Sequence, residues 1–299
     1  MLVTGGSGFV GAELCRSLLA HGWAVRSDNL RLMEETAKWQ ANLRSISCVV
    51  HLAARVHQMG ADREGEIAYH RVNVEGSRFL AEQAANAGVR RFVFLSSVKV
   101  NGDGAARPYR DTDPPAPSDP YGRSKFAAEQ AIKDICEQRG MECVVIRPPL
   151  VYGPGVRANF HKLLRLVDLG IPLPLGSIEN QRSLIGLTNL VYFIETCMTH
   201  PRGIERTWLI ADEESVSTPE LLRRIARHMN RTSRLFRFPP GWLPRLGAAF
   251  NMQAQVDRLC GSLLLDATPA FAVLDWRPTA SLDEELARTV AAFRRKRVL

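Results

Sequence analysis

The chain has 299 residues, of which 45% are hydrophobic and 23% charged, and its formal net charge is +8. This length fits one large α/β domain or a core domain with a smaller second one, and the composition excludes a disordered, collagen-like or coiled-coil chain. No apolar run approaches the roughly 20 residues that a membrane-spanning helix needs. The N-terminal residues lack the pattern of a secretory signal, so we expect a cytoplasmic protein without an integral membrane segment.

The excess positive charge comes mostly from arginines, which become denser toward the C-terminal segment Arg294-Arg295-Lys296-Arg297. Solvated helix faces explain most of them, and attraction of an anionic small molecule such as a nucleotide diphosphate is the more specific interpretation. No aromatic residues are interleaved with the basic ones in a recognisable module, so nucleic acid is not an expected partner. The six cysteines are scattered without a Cys-x-x-Cys pair, so we expect neither disulfides nor a metal site.

Short β-branched runs alternate with amphipathic helical stretches in the first half of the chain. Strands are predicted at 2–3, 49–52, 91–95 and 143–146, and helices up to Gly22, near 66–87 and over 121–138. This alternation predicts an α/β fold in which a doubly wound parallel sheet has helices on both faces.

Two features modify this plan. From Asn29 to Cys48 there is one helical pattern (Leu32, Trp39, Leu43) and no strand, so we expect a sheet that lacks its usual third strand. Past residue 155, prolines break the chain into short pieces, which predicts a smaller, mostly helical C-terminal lobe. The predicted division is therefore 1–155 and 156–299, with segments around 183–212 returning to the core sheet.

A glycine-rich turn follows the first predicted strand. Its glycines fit Gly-x-Gly-x-x-Gly on Gly6, Gly8 and Gly11, and equally Gly-x-x-Gly-x-x-Gly on Gly5, Gly8 and Gly11. In either register the chain turns tightly, lets its backbone approach a pyrophosphate and directs a helix N-terminus at that charge. The sequence therefore predicts a Rossmann-type dinucleotide site.

An acidic residue should follow such a loop after about 20 residues and bind the ribose 2′-hydroxyl, and Asp28 is the candidate. The neighbouring Arg26 is suited to a 2′-phosphate instead, so the cofactor is expected to be NAD or NADP.

Tyr121 and Lys125 are four residues apart in a predicted helix, so they share one of its faces. A free tyrosine, with a pKa of about 10, is a poor base at neutral pH, and a nearby cation stabilises the phenolate and lowers that pKa. Ser97 follows the strand 91–95, whose C-terminal end is where α/β folds bind ligands. The spacing of Tyr121 and Lys125 predicts a proton-transfer pair, and Ser97 marks the ligand-binding end of the neighbouring strand.

These motifs together resemble the extended short-chain dehydrogenase/reductase family, in its NAD-dependent epimerase/dehydratase branch. The segments with the family's pattern are Thr4-Gly5-x-x-Gly8-x-x-Gly11, His51-Leu52-Ala53-Ala54, Asn73-Val74-x-Gly76, Ser97-Val-Lys-Val-Asn-Gly102, Tyr121-x-x-x-Lys125, Arg147-Pro148-Pro149, Val151-Tyr152-Gly153-Pro154-Gly155, Arg182-Ser-Leu-Ile-Gly-Leu-Thr-Asn-Leu and Leu274-Asp275-Trp276. They extend over nearly the whole chain.

The resemblance implies that Tyr121 is the catalytic acid and base, that Lys125 lowers its pKa and holds the nicotinamide ribose, and that Ser97 hydrogen-bonds the reacting oxygen. The residues implied in cofactor binding are Gly5, Ser7, Gly8, Phe9, Val10, Gly11, Asp28, Leu52, Ala53, Ala54, Asn73, Tyr121, Lys125 and Pro148.

For the substrate, the resemblance implies that Arg182 holds a diphosphate, for which its forked guanidinium is suited. It also implies that Asn159 contacts a uridine diphosphate. Lys99 is either a further substrate contact or a solvated loop lysine. By the same resemblance, residues 1–155 hold the dinucleotide, residues 156–299 hold the nucleotide sugar, and the chain forms a homodimer.

Departures from the family pattern narrow the activity. The 4,6-dehydratases carry Thr-Asp-Glu where this chain has Ser97-Val98-Lys99, so elimination of water lacks an obvious acid and base. Many 4-epimerases carry asparagine where Leu150 stands. The residues in these motifs most resemble those of a bacterial UDP-glucose 4-epimerase-like subgroup. That subgroup includes 4-keto reductases of UDP-linked N-acetyl-6-deoxy sugars for surface polysaccharides.

The resemblance therefore implies an NAD(P)-dependent enzyme that acts at C4 of a UDP-sugar, either as an epimerase or as a 4-keto reductase. A non-catalytic dinucleotide-binding protein is the alternative from another class, because the missing strand is expected to weaken the adenosine pocket.

Overall fold

Strands and helices alternate along the computed structural model, which describes residues 1–28, 36–55, 63–105, 107–249 and 253–298. The strands are β1 (Leu2–Thr4), β2 (Arg26–Asp28), β3 (Cys48–His51), β4 (Arg91–Leu95), β5 (Glu142–Arg147), β6 (Leu150–Tyr152), β7 (Leu184–Gly186) and β8 (Arg206–Leu209). The α-helices are α1 (Phe9–Ala20), α2 (Thr36–Leu43), α3 (Arg63–Tyr69), α4 (Gly76–Asn86), α5 (Pro120–Arg139), α6 (Ala158–Leu169), α7 (Leu187–Thr199), α8 (Thr218–His228), α9 (Leu243–Ala249), α10 (Gln253–Cys260), α11 (Thr268–Leu274) and α12 (Leu282–Val298).

Six parallel strands form the main sheet in the order β2-β1-β3-β4-β5-β8. This arrangement confirms the predicted doubly wound sheet. Residues 36–47 contain a helix and a turn but no strand, so β2 forms the edge beside β1. Trp39 and Leu43 are buried in α2, as the helical pattern predicts, whereas Leu32 lies outside the described residues.

Helices cover both faces of this sheet. Because successive side chains of its strands are therefore buried on one face or the other, the strand sequences are continuously apolar. On one face, Leu14 and Leu18 of α1 and Phe193 of α7 pack against the strands. On the other face, Trp39 of α2 and Ile132 of α5 belong to a second core. The sheet is thus held rigidly, and the carboxyl ends of its strands are fixed relative to one another.

The helix α5 has clear start and stop signals in the sequence. Asp119 caps its N-terminus by accepting a hydrogen bond from the backbone N–H of Gly122 over 2.7 Å, and Pro120 occupies the first turn. Gly140 ends it in the left-handed conformation, with φ 67°. These signals place Tyr121 in the first turn.

A second, two-stranded sheet of β6 and β7 packs with α6, α8 and α12 around a further core that contains Tyr152, Phe160, Ile225 and Leu286. The chain then returns to the main sheet through β8, which pairs with β5. The boundary between residues 155 and 156 stays a prediction. None of the helices in the described ranges is both long and apolar enough to cross a membrane.

Candidate active site

The glycine-rich turn between β1 and α1 leaves no space for side chains at two positions. Gly5 has φ +74°, and a Cβ there would lie 2.8 Å from the backbone nitrogen of Ala53. A Cβ on Gly11 would overlap the carbonyl oxygen of Gly5. Gly8 is the N-cap of α1 and offers no side chain to the N–H groups of the first turn. The turn therefore fits a pyrophosphate, whose charge these N–H groups attract.

Asp28 and Arg26 have different surroundings at the edge strand. Asp28 is the last residue of β2, and its carboxylate accepts a hydrogen bond from the side chain of Asn42. The guanidinium of Arg26 instead donates to the carbonyl oxygen of Asn42 over 2.6 Å and caps the C-terminus of α2. Arg26 is thus engaged by a backbone carbonyl oxygen, and the contact of Asp28 with a ribose 2′-hydroxyl stays a prediction.

His51 anchors the end of β3 behind the glycine-rich turn. It is fully buried and hydrogen-bonds Thr4 Oγ1 over 2.6 Å and Ser77 Oγ over 2.9 Å. Burial, and secondarily the charge of Lys125, lowers the pKa of His51 to about 3, so the ring is neutral at physiological pH. Leu52, Ala53 and Ala54 follow it, half-buried, and Ala53 lies against Gly5.

Asn73 ties this loop to α5. It lies in a π-helical turn, His70–Glu75, of the kind often found at functional sites. Its side chain accepts from the backbone nitrogen of Arg55 over 2.8 Å and donates to Ser124 Oγ over 3.0 Å. The predicted Asn73 thus connects the loop after β3 to the helix of Tyr121, through a partner, Ser124, that the sequence did not indicate.

The structure brings Ser97 and Tyr121 together. Ser97 hydrogen-bonds the phenol of Tyr121, whose ring packs edge-on against Tyr69 with 6.0 Å between centroids. Val98 donates to the carbonyl oxygen of Pro148 over 3.0 Å, which fixes the turn that carries Ser97.

In the free protein the pKa of Tyr121 is raised. Burial, followed by the charge of Asp119, raises this pKa to about 12, and only the hydrogen bond from Ser97 acts in the opposite direction. Desolvation therefore dominates the pKa of this phenol in the free protein, and the lowering of that pKa by Lys125 stays a prediction.

Lys125 is 2% exposed, and its Nζ lies 4.1 Å from the centroid of the Phe94 ring. Burial lowers its pKa to about 7, and the charge of Glu129 opposes this only partly. Glu129 is itself engaged by a bidentate pair with the buried Arg147, at 2.9 and 2.5 Å. Such strongly shifted groups in one place are typical of functional sites.

Three cationic side chains, Lys99, Arg182 and Arg258, lie close together near the N-terminus of α5. Arg182 donates to the carbonyl oxygens of Arg258 and Gly261 over 2.7 and 2.8 Å. Burial lowers the pKa of Arg182, and the nearby charge of Arg258 lowers it further. Burial also lowers the pKa of Lys99, with smaller contributions in the same direction from Arg258 and Arg182. Lys99 also pairs with Asp103 and, over 3.4 Å, with Asp119.

Arg258 is a site residue that the sequence analysis missed. It lies in α10, five residues before Leu263, which forms a β-bridge with Arg182. No short motif marks it, and only the bridge between these distant segments could have indicated it.

Asn159 lies half-buried in the first turn of α6, and its contact with a uridine diphosphate stays a prediction. A surface cavity of about 460 Å³ near α6 and α12, lined by residues such as His161 and Phe293, contains none of the predicted site residues. Within the described ranges, no group of three or more His, Cys, Asp or Glu side chains is placed to hold a metal ion, and the six cysteines are free.

Comparison with known proteins agrees with this geometry. Residues 1–211 match the model of the NAD dependent epimerase/dehydratase family. The chain is 40% identical to the UDP-glucose 4-epimerase of Vibrio cholerae, over 98% of this chain and 95% of the relative. The chain therefore belongs to the NAD dependent epimerase/dehydratase family.

Solved structures show the same fold. The UDP-glucuronic acid 4-epimerase of Bacillus cereus in complex with NAD has a TM-score of 0.82 at 19% identity, with 98% of this chain and 96% of that one covered. The UDP-glucose 4-epimerase of Thermotoga maritima with UDP-glucose has a TM-score of 0.80 at 23% identity, with 99% and 98% covered.

The protein is thus an NAD-dependent enzyme with the fold of the extended short-chain dehydrogenases/reductases. NAD is the cofactor of the two predicted, in agreement with the position of Asp28 and the engagement of Arg26. The alternative of a non-catalytic dinucleotide-binding protein is not supported.

Proposed function

We propose that the protein interconverts UDP-sugars that differ in configuration at C4, as a UDP-glucose 4-epimerase does. The position of Lys99 carries this proposal. It follows Ser97 by two residues, pairs with Asp119 just before Tyr121, and lies within electrostatic reach of Arg182 and Arg258. A proton-transfer group and a cradle for a diphosphate are therefore adjacent. The 40% identity to a UDP-glucose 4-epimerase supports the same activity.

Each catalytic residue has a defined task in this proposal. Tyr121 takes the proton of the sugar C4 hydroxyl and later returns it, and Ser97 hydrogen-bonds the same oxygen. Lys125, whose pKa burial lowers to about 7, holds the nicotinamide ribose when the cofactor is bound. NAD, when bound, supplies the acceptor and donor of the hydride at C4. Because hydride and proton both return to the sugar, the reaction needs no external reductant.

The cofactor is held by the residues around the glycine-rich turn. Gly5, Gly8 and Gly11 admit the pyrophosphate, and Asp28 binds the adenosine ribose. The remaining predicted contacts surround these positions: Ser7, Phe9, Val10, Leu52, Ala53, Ala54, Asn73 and Pro148.

Arg182 and Arg258 hold the diphosphate of the substrate, and Asn159 contacts its nucleoside end.

We expect Arg258→Leu to raise the dissociation constant of the UDP-sugar by roughly 10- to 100-fold with little change in kcat, because a charged hydrogen bond contributes about 1.5–3 kcal/mol. Isothermal titration with UDP measures the effect. Arg227→Leu, which removes an exposed arginine of α8, is the control. An equal loss of affinity in both variants would show that only the net charge of the protein matters and that Arg258 does not contact the diphosphate.

The charges around Tyr121 predict opposite shifts of the pH profile. Asp119→Asn keeps an N-cap side chain but removes the anion that raises the pKa of Tyr121, so activity should extend to lower pH, by about one unit. Lys99→Met removes the cation that partly neutralises the charge of Asp119. The pKa of Tyr121 should then rise, and the pH profile of activity should move to higher pH. Rates of epimer formation across pH measure both. Shifts in the same direction would contradict this electrostatic account.

Incubation of the purified protein with UDP-glucose or UDP-N-acetylglucosamine and catalytic NAD, without a reductant, tests the proposed function. We expect the galacto epimer to accumulate to an equilibrium mixture. Stoichiometric oxidation of NADH on a UDP-4-keto-6-deoxy-N-acetylhexosamine, with no epimer from either UDP-sugar, would instead establish the 4-keto reductase.

We further propose that the enzyme is a cytoplasmic homodimer that supplies precursors for surface polysaccharides. By resemblance the interface is formed by the helices predicted near 66–87 and over 121–138, and α4 and α5 of these segments each have an exposed side in the single chain. Sedimentation equilibrium measures the oligomeric state, and a monomer at micromolar concentration would contradict the proposed homodimer.

A further inference from the structure

A long stretch of the C-terminal lobe contains arginines and no acidic residue. Between Leu221 and Val256 there are seven arginines, no aspartate and no glutamate. Some of these charges are neutralised by other segments, since Arg224 pairs with Glu214 and Arg231 lies 3.3 Å from Asp168.

Besides the exposed Arg227 of α8, three further arginines of this stretch project into solvent. Arg234, Arg237 and Arg245 are exposed, and no ion pair involves them in the part of the chain that the structure describes. Arg245 lies over the ring of Trp242, with its guanidinium carbon 5.7 Å from the ring centroid. These three arginines therefore make this surface positively charged.

Large apolar side chains are exposed among these arginines. Ile171 is 45% exposed, Phe236 46% and Trp242 58%. The segments of Ile171 and Phe236 are joined by backbone hydrogen bonds, such as that from the nitrogen of Phe236 to the carbonyl oxygen of Leu173 over 3.1 Å. We call Ile171, Phe236, Trp242, Arg234, Arg237 and Arg245 the basic apolar patch.

The exposed side chains are not needed to fill the interior. Their chain neighbours Leu173, Leu235, Phe238 and Leu243 already pack together in a small core. Phe236 and Trp242 thus extend outward from a surface whose inner layer is complete, and their exposure costs hydrophobic free energy that a partner would recover.

We propose that the basic apolar patch binds the surface of an anionic phospholipid bilayer. Aromatic and aliphatic side chains that enter the interface, together with arginines that attract anionic headgroups, are the chemistry of peripheral membrane binding. The same lobe carries Arg258, and its neighbour Leu259 packs in the core beneath the patch. Membrane binding would therefore hold the diphosphate cradle close to the bilayer. This inference does not depend on which sugar is turned over.

Co-sedimentation of the full chain with vesicles tests the inference. We expect binding to phosphatidylcholine vesicles in which about a third of the lipid is phosphatidylglycerol, weaker binding as salt rises, and none to phosphatidylcholine alone. Absence of binding to the anionic vesicles would overturn the proposal.

Paired variants locate the surface. Arg234→Glu with Arg237→Glu should weaken vesicle binding by at least about 20-fold, because each basic residue near an anionic surface contributes about fivefold. Phe236→Ser with Trp242→Ser should abolish it. The matched controls are Trp23→Ser, which removes a tryptophan 41% exposed after α1, and Arg202→Glu.

Turnover of a soluble UDP-sugar should be unchanged in all of these variants, which separates loss of membrane binding from misfolding. Equal loss of vesicle binding in the control variants would show that the patch is not the binding surface. If the wild-type chain instead self-associates without lipid and the patch variants are smaller by sedimentation velocity, the patch joins two copies and the proposal is wrong.

Discussion

Lys125→Met is expected to abolish turnover and at the same time to stabilise the folded protein. The pKa of Lys125 falls from 10.5 to about 7 in the fold, so burial opposes its charged form. At pH 7 this costs on the order of 3–5 kcal/mol of folding free energy. Methionine has a similar length and no charge, so the cost disappears, and the melting temperature should rise by at least about 5 °C.

The pH dependence has a definite sign. Between about pH 7 and 10.5 the unfolded chain binds a proton at Lys125 that the folded chain does not bind, so wild-type stability rises with pH in this window. The advantage of Lys125→Met is therefore largest at pH 7 and below and vanishes toward pH 10.5. Thermal unfolding at several pH values measures it.

Lys133→Met is the matched control on the same helix. Lys133 is only partly buried and donates to Thr207 Oγ1 over 2.9 Å, so we expect neither the gain in stability nor the loss of turnover. If Lys125→Met lowered the melting temperature and left turnover intact, Lys125 would be a structural residue and the proposed site would be wrong.

Tyr121→Phe is expected to lower kcat by roughly 10²- to 10⁴-fold, the range that a positioned acid or base contributes. The ring can keep its contact with Tyr69, so affinity for the UDP-sugar should change little. Single-turnover rates and titration with the UDP-sugar separate the two quantities. The control is Tyr69→Phe, which removes the neighbouring hydroxyl and should leave kcat within about threefold. A comparable loss in both variants would contradict the assignment of the proton to Tyr121.

The elements of the site that depend on local conformation could be predicted from the sequence. The glycine-rich turn is one case, since Gly5 and Gly11 are required by the turn itself. The helix α5 is another, because Asp119 and Gly140 mark its ends. Spacing along these elements is sufficient to place Tyr121 and Lys125 on one face.

The parts that depend on long-range packing could not be predicted. Arg258 meets Arg182 across 76 residues, through a bridge between segments without a strand pattern. The raised pKa of Tyr121 reflects burial, which the sequence does not show. The exposed position of Phe236 is a further case, because an aromatic residue in an apolar segment would ordinarily be assigned to the core.

Conversion of UDP-glucose that carries deuterium at C4 tests most directly whether the enzyme removes and returns hydrogen at that carbon. In the proposed reaction the same hydride returns to C4, with Tyr121 handling only the proton. We therefore expect UDP-galactose that retains deuterium at C4, formed without added reductant and with a slower rate than from the unlabelled sugar. Loss of the deuterium from the product, or the absence of any epimer, would contradict the proposed C4 epimerase.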